Sequence, residues 1–263
     1  MTEAAASTTS PAVGRPPLGI ALRSLLRADT IVLLRSRVAT ILSLALPVVI
    51  LIATGIGGRT GQRLGGADLV IALALTLGLL TSCLLGYSLT LAHDREVGVL
   101  RRLRVTPAPT WAIMTSRIGV QVVTNLVSSL IVVIVGVILH GLTFDIAQYV
   151  VVVLIAGLGA AVILAIGQAI VGLVPSTGAV NAIGRILFIV LVLLGILGSS
   201  GILGDTMETV ALWTPVGALM TMFATVIGGT PWIDQDWYGL IACSGYVVVF
   251  AFIGIRWFRW ESR

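Results

Sequence analysis

Residues Ile146–Val174 read IAQYVVVVLIAGLGAAVILAIGQAIVGLV, a stretch without a single charged side chain. A helix rises about 1.5 Å per residue, so a run of this length outreaches the ~30 Å of hydrocarbon in a bilayer. Six more apolar runs flank it: Val38–Ile56, Leu69–Ala92, Ile118–Leu139, Ile186–Leu203, Val210–Ile227 and Tyr238–Ile255. Hydrophobic residues make up 57% of the 263 and charged residues only 10%. Mean hydropathy is +1.10. A soluble domain is roughly a quarter charged, because its surface must face water. The chain therefore reads as an all-α integral membrane protein.

Seven runs leave the parity open, and the distribution of positive charge decides it. All 16 basic residues are Arg. If both termini are cytoplasmic and Val210–Ile227 does not cross, 14 of the 16 fall on the cytoplasmic side, and Arg59 and Arg63 alone lie outside. A full crossing by Val210–Ile227 would move Arg256, Arg259 and Arg263 outside as well. Cytoplasmic loops are enriched in Arg, so six transmembrane helices are expected. Val210–Ile227 holds Trp213 and Pro215 and is flanked by Asp205, Glu208, Asp234 and Asp236. Residues 204–236 are accordingly predicted to form an outer re-entrant hairpin before the last span, covered by neighbouring helices. Trp111, Trp257 and Trp260 then mark the inner boundary, and Trp213, Trp232 and Trp237 the outer one.

Ahead of the first span, Leu22, Leu25, Leu26, Val32 and Leu33 share one helical face, with Arg23 and Arg27 on the other. This pattern predicts an amphipathic interfacial helix over 18–37. Asp29 falls inside the apolar stripe, so it is expected to pair with an Arg or to face protein. Residues 1–17 lack the apolar core of a signal peptide and read as a disordered cytoplasmic tail.

Absences narrow the function. There is no Lys, hence no P-loop. No carboxylate lies in the middle of a span, where proton- and sodium-coupled carriers usually place one. The two His, His93 and His140, fall on opposite sides of the membrane, so no metal site is visible, and no catalytic set converges. Cys83 and Cys243 lie within apolar runs and read as buried thiols. Transport driven by a partner remains open. An autonomous secondary carrier or channel and a non-transporting membrane assembly factor are the competing readings.

The most informative polar segment is the loop over 93–110, HDREVGVLRRLRVTPAPT. Acids precede and Arg residues follow, an order that suits the helix macrodipole. Val97, Leu100 and the Leu103–Arg104 pair have helical spacing, and Pro107 ends the helix. The residues alone are equally consistent with a solvated anchor.

This segment resembles the signature of ABC-2 type permeases, the membrane subunits of a class of ATP-binding-cassette exporters. The matching elements are Glu96-Val97-Gly98, then Leu100-Arg101-Arg102-Leu103-Arg104, then Thr106-Pro107. The resemblance is to the drug- and antibiotic-exporter branch most of all, and it extends over nearly the whole of 18–263. An elbow helix precedes the first span, and a Gly/Ser-rich span end (Gly195, Gly198, Ser199, Ser200, Gly201) leads through Asp205–Thr214 to Pro215. The Pro that the family often carries after the Gly-rich stretch is missing from Gly201-Ile202-Leu203-Gly204.

The resemblance implies a permease without its own ATPase site, and no cofactor in this chain. ATP and Mg would be bound by a partner ABC ATPase subunit. A second permease copy, identical or paralogous, would complete the transporter in a bacterial plasma membrane. The helix over about Arg95–Arg104 would couple the two subunits, with Glu96 and Gly98 shaping its start and Leu100, Arg101, Arg102, Leu103 and Arg104 making the contact.

Within the spans, Ala161, Ala165 and Ala169 are spaced for close helix packing. Asn125, Ser128 and Ser129 share a face and are candidates to line a pathway, with interhelical hydrogen bonding as the plainer use. A pathway of aliphatic residues and small hydroxyls suits an amphipathic drug-like or lipid-like molecule.

Overall fold

The computed structural model describes residues 18–35, 37–56, 66–99, 110–199 and 204–257. Among these residues it is all-helical. In chain order the helices are α1 (Leu18–Arg35), α2 (Arg37–Ile56), α3 (Ala67–Glu96), α4 (Thr110–His140), α5 (Ile146–Leu173), α6 (Thr177–Ser199), α7 (Asp205–Trp213), α8 (Pro215–Ile227) and α9 (Asp234–Arg256). Five of them, α3, α4, α5, α6 and α9, are long and apolar enough to cross a membrane. The 20 residues of α2 would reach ~30 Å.

Local sequence explains the ends. Asp145 and Gln148 form a capping box at the start of α5, the Gln148 side chain accepting from the Asp145 amide at 2.9 Å. Ser176 Oγ accepts from the Ala179 amide at 3.2 Å and opens α6. Thr214 Oγ1 accepts from the Gly217 amide at 3.1 Å, and Pro215 takes the first position of α8, where a missing N–H costs nothing. That Thr-Pro step is what divides α7 from α8.

The centre of the bundle is α3 and α5. In each, 61% of the apolar stretch is buried, against 22% for α6 and 17% for α9. The small residues of α5 are the reason. Gly159 lies against Leu79 of α3 and Leu219 of α8, where a Cβ would come within 2.9 Å of the Leu79 Cδ1. Gly167 leaves no room for a Cβ beside the Ser88 hydroxyl of α3. Ala169, buried, meets Gly254 of α9. Close approach of backbones is how membrane helices gain packing energy where lipid offers no hydrophobic drive.

One feature of α3 departs from regular helix. Leu80–Tyr87 is π-helical, while Ala67–Leu79 and Ser88–Glu96 on either side are α-helical. Such wide turns are rare and cluster at functional sites.

The short helices α7 and α8 occupy a limited depth. At its C-terminal end, α8 meets the first turns of α3, α5 and α9. Gly228 lies beside Asp68, Gln148 Nε2 donates to the Val226 carbonyl at 3.0 Å, and Thr225 Oγ1 donates to Asp236 at 3.2 Å. At the other end, the Trp213 carbonyl accepts from the hydroxyl of Tyr246, half-way along α9, at 3.0 Å.

Candidate functional site

Two sets of polar residues are buried in this apolar frame, one at the C-terminal end of α3 and one between α2, α3 and α4.

At its C-terminal end, α3 continues through Glu96, which is exposed. Gly98 then adopts φ +76°, with its amide donating to the Arg95 carbonyl at 3.2 Å. A left-handed residue just past the last turn is a standard helix stop, and only glycine takes that conformation without steric cost. The helix expected from about Arg95 is thus interrupted: Arg95 and Glu96 belong to α3, and helical structure resumes at Val99. Leu100, Arg101, Arg102, Leu103 and Arg104 lie outside the described residues.

Three polar ties converge on this end. Arg117 of α4 pairs with Asp94 of α3 at 2.6 Å. Ser116, next along α4, donates to Asp29 of α1 at 2.6 Å, so the acid inside the apolar stripe of α1 faces protein. Arg95 is 3% exposed. Its guanidinium donates to the carbonyls of Val171 at 2.5 Å, Val174 at 2.7 Å and Pro175 at 2.9 Å, at the C-terminal end of α5. Four helices, α1, α3, α4 and α5, are joined here by charge-assisted bonds, which are stronger than neutral ones.

The second set lines a cleft. Leu44 and Pro47 of α2, Leu75, Gly78, Leu79 and Ser82 of α3, and Asn125, Ser128, Ser129 and Val132 of α4 surround a narrow crevice. The structure brings Asn125, Ser128 and Ser129 together as their spacing predicts. Asn125 is buried and donates to the Gln121 carbonyl at 2.8 Å. Gln121 Nε2 in turn donates to Ser82 Oγ at 3.0 Å, which ties α4 to α3. Gln121 was not among the candidates, although it precedes Asn125 by one helical turn, and that spacing could have found it. Among the described residues no charged side chain borders the cleft. Among the described residues no cluster of His, Cys, Asp or Glu could hold a metal ion.

A model of the ABC-2 type transporter family matches residues 20–227, which takes in both of these sets. The chain belongs to the ABC-2 type transporter family. It is thus a multi-pass membrane protein and the permease component of an ABC transporter, a component generally not itself catalytic. The match runs from α1 to the end of α8, leaving α9 of this ABC-2 permease beyond it. Neither the curated proteins nor the solved structures include a match to the chain.

Proposed function

We propose that this ABC-2 permease exports amphipathic drug-like or lipid-like molecules, energised by a separate ABC ATPase that docks on the segment following Gly98. The observation that carries this reading is the inner end of α3. A positive-φ glycine stops a long, centrally packed helix, and the Leu/Arg-rich segment of the family signature follows at once. Movement of a docked ATPase would therefore act directly on the helix that lines the cleft.

In this reading α2 joins the five longer helices as the sixth span, both termini are cytoplasmic, and α1 lies at the inner interface. α7 and α8 form the re-entrant hairpin on the outer side. Support for the hairpin comes from its contacts: one end of α8 is level with the starts of α3, α5 and α9, and the other reaches only half-way down α9. A helix of 13 residues rises ~20 Å, too little to cross. The exposed apolar faces of α6 and α9 suit lipid and a second permease, identical or paralogous.

The cleft supports the substrate class. Amide and hydroxyl groups interspersed with aliphatic side chains suit a neutral or weakly polar amphiphile, and no charged side chain among the described residues lies beside them. Deletion of the gene is expected to raise the accumulation of several amphipathic drugs in whole cells several-fold. Unchanged accumulation across the panel, beside an altered envelope lipid profile, would reassign the cargo from drugs to lipids.

A further inference from the structure

The three acceptors of Arg95 have a sequence origin. In a continuing helix the Val171 carbonyl would accept from the amide of residue 175, but residue 175 is Pro and has no N–H. The last regular bond of α5 runs from the Val174 amide to the Ile170 carbonyl at 2.9 Å, and Val174 is already extended, at φ −103°, ψ 124°. Carbonyls left at a buried helix end need donors, and a cation is favoured beside them by the helix dipole. Arg95 supplies those donors from a different helix, 76 residues earlier in the chain.

The same seam continues upward. Ser88 packs into the space left by Gly167, and the Tyr87 hydroxyl donates to Gln168 Oε1 at 3.1 Å. The inner third of α3 is thus fixed along the inner third of α5, and the π-helical stretch Leu80–Tyr87 enters this seam at Tyr87. α5 in turn lies along α9 through Gln168, Ala169 and Gly254.

We infer that Arg95 is a positioning residue for energy coupling: it makes the inner ends of α3 and α5 one lever, so that displacement of the segment after Gly98 is delivered to α5 and through it to α9. This rests on the proposed role of that segment as the ATPase contact. Arg suits the task better than Lys because its planar fork serves three carbonyls at once. A ligand-driven shift can do work only where the moving parts are connected in both states, and Arg95 is the connection at this end.

The test separates the lever from a simple helix cap. Arg95→Ala removes both. Arg95→Ala with Pro175→Ala offers a backbone donor to the Val171 carbonyl but leaves the ends of α3 and α5 without the Arg95 tie, the Tyr87–Gln168 bond alone remaining above it. The permease, co-purified with its ATPase and placed in nanodiscs, is assayed for bound ATPase, thermal midpoint and permease-stimulated ATP hydrolysis. Pro175→Ala alone should behave like the unmodified chain. The double variant should regain the thermal midpoint and keep the ATPase, yet show stimulation reduced about tenfold, and Arg95→Lys should fall between.

Full stimulation in the double variant, with ATPase bound, would reduce Arg95 to a cap and overturn the inference. A second readout holds even if these variants fold poorly. Nitroxides at Val97→Cys and Ser176→Cys, with Cys83 and Cys243 replaced by Ala, should keep one separation in ADP and in ATP–vanadate. A separation that changes with nucleotide in the otherwise unmodified lever would equally overturn it. An unmodified chain that binds no ATPase would instead defeat the proposed function on which the inference depends.

Discussion

Replacing Glu96 by Ala together with Gly98 by Pro is expected to reduce permease-coupled ATP hydrolysis about tenfold or more, while membrane insertion is unchanged. The reason is geometric. Gly98 sits at φ +76°, and proline is confined near −65°. Proline also removes the amide that donates to the Arg95 carbonyl, and it disfavours the near-helical Val97 (φ −76°, ψ −4°) that precedes it. The stop that ends α3 cannot form, so the segment after it must leave in another direction. Loss of Glu96 removes an exposed charge at the same point. Gly98→Ala is a milder test, since a left-handed non-glycine residue costs about 1–2 kcal/mol, and a partial loss is expected. Reconstituted complexes assayed for ATP hydrolysis decide the matter. Normal stimulation in the double variant would remove the coupling role from this segment.

The second large effect concerns the short helices α7 and α8. Ala211 of α7 is buried between two glycines: a Cβ on Gly198 of α6 would overlap the Ala211 Cβ, and one on Gly217 of α8 would overlap its carbonyl. Nearby, a Cβ on Gly195 would come within 2.6 Å of Val216. Even one added methyl at Gly198 has no space, and overpacking of this kind costs about 1–3 kcal/mol. Gly198→Ala should therefore lower the thermal midpoint of the purified permease and impair transport, by forcing α7 and α8 away from α6. Ala211→Gly in the same chain removes the colliding methyl and should restore most of both. A Gly198→Ala protein as stable as the parent would show that α7 is not held against α6 in this way.

What the sequence could and could not reveal follows from the range of each interaction. The apolar runs are legible because the bilayer sets their length, and α3, α4, α5, α6 and α9 appear where Leu69–Ala92, Ile118–Leu139, Ile146–Val174, Ile186–Leu203 and Tyr238–Ile255 place them, with ends shifted by between none and nine residues. The ends shift because helices extend beyond the hydrocarbon: α3 runs on to Glu96 and α4 begins at Thr110, on residues whose polarity hides them from a hydropathy reading. The break at Thr214-Pro215 is legible because a cap and a proline are local signals. The face shared by Asn125, Ser128 and Ser129 follows from helical spacing alone.

Other features depend on contacts between distant residues. Nothing beside Arg95 in the chain announces the Val171, Val174 and Pro175 carbonyls. Asp29 signals the need for a partner but not that Ser116 supplies it. The π-helical stretch has no composition of its own. It lies where α3 packs against Gly167 and Gln168 of α5, a fit that exists only in the folded bundle.

The central claim is that this permease works with a separate ATPase. The most direct measurement is affinity purification of the tagged chain from its native membranes in mild detergent, with the co-purifying proteins identified by mass spectrometry. A near-stoichiometric protein carrying a P-loop is the predicted result. Recovery of the chain alone, reproducibly and in several detergents, would contradict it and favour a carrier that acts without a partner.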